Sequence, residues 1–497
     1  MQKKRLFSNA AMSMLQVLVV SGTLFVLYRV LLKTIGVKQL GIWSLVMATG
    51  SLTQLANLGL VGGVTRFVAK YAARGEHDLA SRVVQTAITS LGLSTGVVLA
   101  GLLLFARPAF SLFMPADSLR VGLSIVPYAF LSLWIAILAG VFQAGLDGYQ
   151  RIDAKNIVVM TGSLIYLGLC CIFALKWGLV GVAAASVLQN LWLLVVTRYA
   201  LKKRLPSLPV FRYRWDRALF KEMLGYGVKF QVMSVAAMVT DPVTKVFMSR
   251  FGGLAAVGYY EMCNRMVQQL RAFIVTPGFT LVPAAADLKE RAVERIKALY
   301  DSSYNLTFCV AAAVYGLVIM YAPLISRVWI GHYEKTFVTF TVLLSIAWFF
   351  NVLAVPAYFI NLGTGDLRWN VAAHVGAAIV NGLAGFVLGR HLGSFGVVLA
   401  WVIALISCGG LVVSVGYHIS HGIPLSRLIP RSSIVLVAVC IFGIAVTYLV
   451  VPQFAGATRG PGVPLVNYGL LSVAVISLLW VHPSRKQLFR LITDKAG

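Results

Sequence analysis

The sequence predicts an all-α polytopic membrane protein of about fourteen transmembrane helices, arranged as two six-helix lobes with two further helices at the C-terminus. Three observations carry this reading. Of the 497 residues, 59% are hydrophobic and only 12% charged, with mean hydropathy +0.84, a balance foreign to soluble domains of this length. Apolar runs of membrane length recur from end to end. Glycine-centred turns between those runs repeat at a nearly fixed offset along the chain.

Taking about 20 apolar residues per span, the runs fall at 10–32, 42–65, 83–105, 119–143, 156–175, 179–199, 222–248, 257–283, 302–323, 337–360, 371–389, 394–417, 433–451 and 465–482. The first follows MQKKRLF without a small-residue cleavage site, so it reads as an uncleaved span rather than a signal peptide. The formal net charge is +27, which in a soluble protein would suggest nucleic acid. Here the bases sit in loops, and no nucleic-acid partner is expected. An even span count puts both termini on one side, and the loops of that side hold 28 Lys and Arg against 10 on the other. By the positive-inside rule both termini are cytoplasmic.

The longest polar stretch is basic, carries Pro206 and Pro209, and divides the chain. It gives an N-terminal lobe at 1–200, a linker at 201–221, a C-terminal lobe at 222–420, and an added helix pair with tail at 421–497. Ile35–Trp43 (IGVKQLGIW) resembles Phe251–Tyr260 (FGGLAAVGYY), with Gly36 matching Gly252 and Gly41 matching Gly258. Gly178–Ala183 likewise resembles Gly393–Val398, and all these offsets lie between 215 and 217. A shared offset argues for two lobes in parallel order.

Charges inside spans are the functional signal, because a charge at mid-membrane costs about 2.5–3.5 kcal/mol on insertion scales. Lys229–Arg271 is mostly apolar yet carries Lys229, Asp241, Lys245, Glu261, Arg265 and Arg271. Bases outnumber acids there, so the expected ligand is anionic. Arg29 maps onto Lys245 at the repeat offset of 216, and together they would make a positive outer ring. Against these readings stand simpler ones. Arg29, Lys229 and Lys245 can snorkel to an interface. Asp241 can pair with Lys245, and Glu261 with Arg265, each at i+4. Arg271 has no acid at helical spacing and is the strongest site candidate. Asp241 beside Pro242 suits a kinked gating helix, a charge pair, or a coupling cation or proton. Asn57 is a neutral polar group whose plainer role is helix–helix hydrogen bonding.

The six cysteines all lie in apolar runs without metal spacing, and His374 reads as a packed histidine. No GxxxxGK[ST] or HExxH is present, and no outer loop is large enough to house a catalytic domain. An enzyme is not expected, nor a cofactor beyond a coupling H+ or Na+.

Two stretches carry a family resemblance. Leu40–Glu76 (LGIWSLVMATGSLTQLANLGLVGGVTRFVAKYAARGE) and Leu224–Leu270 resemble the signature segments of the polysaccharide transporter branch of the MOP exporter superfamily, the Wzx-type O-antigen flippases. Pro283–Ala286 also fits. Asn57 departs from the pattern, since such proteins often carry an acid before the Leu-Gly-Leu. The resemblance implies a MATE-like pair of six-helix lobes with a central cavity lined by spans 1, 2, 7 and 8. It implies export of a polyprenyl-pyrophosphate-linked oligosaccharide by alternating access for cell-surface polysaccharide synthesis; glycan-assembly partners are not identified. Arg29, Asn57, Lys229, Lys245, Arg265 and Arg271 are then the substrate-binding candidates, with Asp241 and Glu261 as coupling or charge-pair residues. The alternatives are a lipid-linked peptidoglycan-precursor flippase and a cation-coupled multidrug exporter. Drug cations would need cavity acids, and the first six spans contain none. A glycan polymerase or ligase would need the outer loop this chain lacks.

Overall fold

The chain opens with α1 (Gln2–Thr34), which reverses at Gly36 into α2 (Gly36–Gly50). The computed structural model describes residues 2–50, 60–209, 214–450, 469 and 472–479, without the side chains of 2–11, 226–237 and 450. Next come α3 (Leu60–Ala73) and α4 (His77–Leu104). The short α5 (Ala106–Ser111) leads into α6 (Ala116–Gly148). α7 (Ile152–Lys202) and α8 (Arg217–Val275) have 51 and 59 residues. At 1.5 Å per residue either would far exceed the ~30 Å apolar core of a bilayer as one crossing. Both are broken at a glycine.

At Gly178 φ is 54° and ψ −132°; at Gly253 φ is 79° and ψ 170°. A side chain is strained at such positive φ, so glycine is what lets the chain turn back there without a loop. The same break recurs at Gly393 (φ 62°, ψ −143°) in the later helix α13. The reversals thus fall at Gly36, Gly178, Gly253 and Gly393, and they keep the offsets read from sequence. One register differs. Sequence pairs Gly36 with Gly252, whereas the left-handed residue is Gly253.

The remaining helices are α9 (Leu281–Arg291), α10 (Arg295–Trp329), α11 (Lys335–Leu353), α12 (Val355–Thr364), α13 (Arg368–Ala404), α14 (Val413–Ser420) and α15 (Ile434–Ala445). A π-helical turn, Leu405–Val412, links α13 to α14. Among the described residues there is no strand. The described chain contains 8 helices long and apolar enough to cross a membrane. Two of them, Ile152–Lys202 and Arg368–Ser420, are each a pair joined at glycine. α8 adds a further pair whose hydropathy its charges lower. Parts of the second and fourteenth expected spans lie outside the described residues. The protein is a multi-pass, all-α membrane protein.

The chain packs as two compact units. One comprises Met1–Glu261 with Gly389–Val397; the other comprises Met262–Leu388 with Val398–Gly497.

In the first unit, the repeat-related glycines Gly41 and Gly258 sit at one helix crossing. A Cβ on Gly41 would strike the Leu254 carbonyl, and one on Gly258 would lie 2.8 Å from Val37 Cγ2. Close backbone approach through small residues is how membrane helices gain contact without a hydrophobic driving force. We expect Gly258→Ala to destabilise by about 1–3 kcal/mol through overpacking. Its melting temperature in detergent should fall, while Gly22→Ala, where a Cβ meets nothing within 4 Å, should leave it unchanged.

The basic linker is strapped to α4 of the same unit. Arg214 N donates to Gln85 Oε1 (2.9 Å), Asp216 N to Thr86 Oγ1 (3.2 Å), and Trp215 Nε1 to Ser90 Oγ (2.9 Å). Asp216 Oδ1 then accepts from Ala218 N and Leu219 N, capping the start of α8.

Candidate functional site

Two charged clusters stand inside membrane-spanning helices, one in each unit.

The first is built on the hairpin around Gly253. Lys245 lies eight residues before that turn and Glu261 eight after it. In antiparallel helices, residues equidistant from the turn face each other, each about 12 Å along its helix. Lys245 Nζ is 2.8 Å from Glu261 Oε2 and 2.8 Å from Asp241 Oδ2, the latter one helical turn back. Lys245 and Glu261 are buried, with 3% and 4% exposure, and Asp241 is partly exposed. Glu261 also accepts from Ser44 Oγ (2.8 Å) on α2 and from Tyr28 OH (3.4 Å) on α1. Three helices are therefore tied through one carboxylate.

This changes the reading of Lys245. Sequence offered it both as a base in a positive ring with Arg29 and as the i+4 partner of Asp241. The structure closes two carboxylates, Asp241 and Glu261, upon its ammonium. The physical reason is that an ammonium taken out of water needs ionic partners, and both acids stand at spacings that deliver them. Arg29, one residue past Tyr28, is exposed.

The second cluster surrounds Arg271, on the last turns of α8. Its Nε donates to Asn351 Oδ1 at 3.2 Å, and the Asn351 amide nitrogen donates to Gly409 O at 3.3 Å. The amide is thereby used at both ends, which orients the guanidinium. Gly409 lies in the π-helical turn. There a Cβ on the adjacent Gly410 would come 2.8 Å from Phe350 O, so glycine permits the close approach of this turn to α11. The guanidinium also lies over the Trp348 ring, 5.1 Å from its centroid. Trp348 and Asn351 are three apart on α11 and so share a face. Tyr315 on α10, Tyr358 on α12 and His374 on α13 lie within electrostatic reach of the guanidinium, and His374 stands edge-on to Tyr358 at 5.9 Å. Among the described residues, no carboxylate pairs with Arg271.

A fixed cation inside the membrane, flanked by a cation–π partner and neutral donors, is chemically a site for an anion. Its supporting residues were not singled out from sequence. A tryptophan or tyrosine in an apolar run reads as core, and the only cue was the three-residue spacing of Trp348 and Asn351.

The other candidates are dispersed. Arg265 is exposed on α8. Six residues separate it from Arg271, which at 100° per residue puts the two on different faces. Lys229 belongs to α8, but its side chain lies outside the described residues, as does Asn57 altogether. Among the described residues, no group of three or more His, Cys, Asp or Glu could hold a metal ion.

Comparison with known proteins agrees with this architecture. The family described as "Polysaccharide biosynthesis protein" matches residues 6–289. Stage V sporulation protein B of Bacillus subtilis (strain 168) is 22% identical over 511 residues, covering 94% of this chain and 92% of that one. Among solved structures, the lipid II flippase MurJ in an inward closed conformation superposes with a TM-score of 0.74 at 12% identity, over 96% of this chain and 98% of that one. An inward-facing multidrug resistance MATE family transporter of the MOP superfamily gives 0.71 at 16% identity, over 80% and 94%. At such identities the likeness is one of fold, and the fold is that of the MOP transporters.

Proposed function

The chain belongs to the polysaccharide biosynthesis protein family, and from that membership we propose that it is a flippase for a polyprenyl-pyrophosphate-linked oligosaccharide. In this reading it carries the lipid from the cytoplasmic to the outer leaflet of the bacterial inner membrane by alternating access, for cell-surface polysaccharide assembly. The observation that supports it most is Arg271. A membrane-embedded base with no carboxylate partner among the described residues suits a substrate that brings its own negative charge.

Arg29 and Arg265, both exposed, stay with Lys229 and Asn57 as candidates from sequence for contact with the substrate. Lys245 and Glu261 serve as a structural charge pair. Asp241, partly exposed at the edge of that pair, is the carboxylate open to a coupling H+ or Na+. The proposed division remains 1–200, 201–221, 222–420 and 421–497, with both termini cytoplasmic on the charge distribution. A multidrug exporter fits less well, because the buried carboxylate Glu261 already faces Lys245. A peptidoglycan-precursor flippase shares the pyrophosphate chemistry and differs in the glycan.

The test is transport in proteoliposomes made with the purified protein. Three cargoes are offered: a fluorescent polyprenyl-pyrophosphate oligosaccharide, lipid II, and a lipophilic cation. We expect the first to reach the opposite leaflet and the cation to stay put. Movement of lipid II in preference to the oligosaccharide lipid would transfer the assignment to the cell-wall precursor. Movement of the cation alone would end the flippase reading.

A further inference from the structure

On and beside the Trp348 ring that lies under Arg271, the second unit contains several buried polar atoms without a hydrogen-bond partner among the described residues. They are Tyr315 OH, Trp348 Nε1 and Trp401 Nε1. Tyr315 is 1% exposed and Trp348 8%. Trp348 links the group: its ring lies under the guanidinium, and its other neighbour is the Trp401 ring, edge-on at 6.4 Å. Tyr315 reaches the guanidinium electrostatically from α10. Arg271 commits Nε to Asn351, which leaves its two Nη groups for other acceptors.

These groups have one chemistry in common. An indole N–H and a guanidinium can only donate, and a phenol can donate. Leaving a buried donor unpaired costs about 1–3 kcal/mol. Three such donors in the same unit as a cation that pairs with no carboxylate among the described residues are costly to the fold by themselves. Their complement is an acceptor with negative charge, and the broad ring faces beside it suit the apolar face of a sugar ring.

We propose that the second unit holds an oxyanion subsite in which Tyr315, Trp348 and Trp401 donate to the same negatively charged, sugar-bearing group that Arg271 binds. The proposal rests on the anionic-substrate reading given above and deepens it by naming the donors. The oxyanion has two chemical sources, the pyrophosphate of the lipid linkage or the carboxylate of an acidic sugar.

The experiment measures binding to the purified full-length protein by calorimetry, with inorganic pyrophosphate, glucuronate and glucose as probes at millimolar concentration. Tyr315→Phe keeps its ring and removes the donor, while Trp348→Phe and Trp401→Phe remove the donor and shrink the indole to a single ring. We expect saturable binding of an oxyanion and none of glucose. Each variant should weaken that binding by about 10- to 150-fold, the loss of one hydrogen bond to a charged group. Tyr315→Phe should melt no lower than wild type, because a donor without a partner has been removed, whereas the two tryptophan variants also lose packing, so for them the binding readout decides. A residue that merely packed the core would show the reverse, a lower melting temperature with unchanged binding. Tighter pyrophosphate binding assigns the linkage, and tighter glucuronate binding an acidic sugar. No oxyanion binding to wild type, or variants that bind like wild type, would overturn the subsite and leave the donors to buried water. Because free anions are the probes, the result stands apart from transport. Intact anion binding without movement of any lipid-linked glycan would sink the flippase reading and keep the subsite.

Discussion

Replacing Arg271 with alanine is expected to abolish glycan-lipid transport while the protein still folds and inserts. Among the described residues the guanidinium is held by neutral groups, Asn351 and the face of Trp348. Removing it therefore strands no carboxylate among them, and the loss of the cation–π contact costs only about 1–2 kcal/mol. For a bound oxyanion the loss is larger. Truncating one partner of a buried, hydrogen-bonded charge pair costs about 2–5 kcal/mol, or about 30- to several-thousand-fold in affinity. Arg271→Lys should keep part of the activity, since the charge survives while the planar fork is lost. Complementation of a flippase-deficient strain at matched membrane expression reads the result. Normal complementation by Arg271→Ala would remove Arg271 from the substrate path. A variant that fails to accumulate in the membrane would make Arg271 a structural residue of the second unit.

The second large effect is expected at Lys245, with the opposite signature. Lys245→Met withdraws the ammonium that both Asp241 and Glu261 contact at 2.8 Å. Glu261 is buried, so its charge then loses its closest cation, and breaking a buried pair in this way costs about 3–5 kcal/mol. We expect low accumulation and a melting temperature several degrees below wild type. Adding Glu261→Gln should recover most of the loss, because the amide can still accept from Ser44 and Tyr28 without a charge to compensate. A Lys245→Met protein that melts like wild type yet transports nothing would restore Lys245 to the substrate site.

The sequence by itself determined the class of the protein, most of its crossings and its internal repeat. Apolar length is a local property, and in a bilayer each span must satisfy its own backbone hydrogen bonds, so hydropathy reads out helices nearly one by one. The repeat was legible because chain reversal without a loop demands glycine at a left-handed position. Gly36, Gly178 and Gly393 therefore mark the same turns in sequence and in backbone, and the fourth differs by one residue, Gly252 in sequence and Gly253 in backbone. Helical spacing also foresaw the Asp241–Lys245 pair, which lies on a single helix turn.

What only the tertiary structure decided is which charges are compensated. Lys245 and Glu261 are sixteen residues apart, and no helical period joins them. They meet because the hairpin at Gly253 folds one half of α8 back on the other. That contact turns an expected substrate base into a closed ion pair. Arg271 shows the converse. Its lack of an acid was legible in its own helix, but Asn351, Trp348, Tyr315 and Trp401 come from other helices and look like ordinary core residues in an apolar run. Hydropathy records what a residue is, whereas charge compensation depends on what packs against it, and that is fixed only when the helices are brought together.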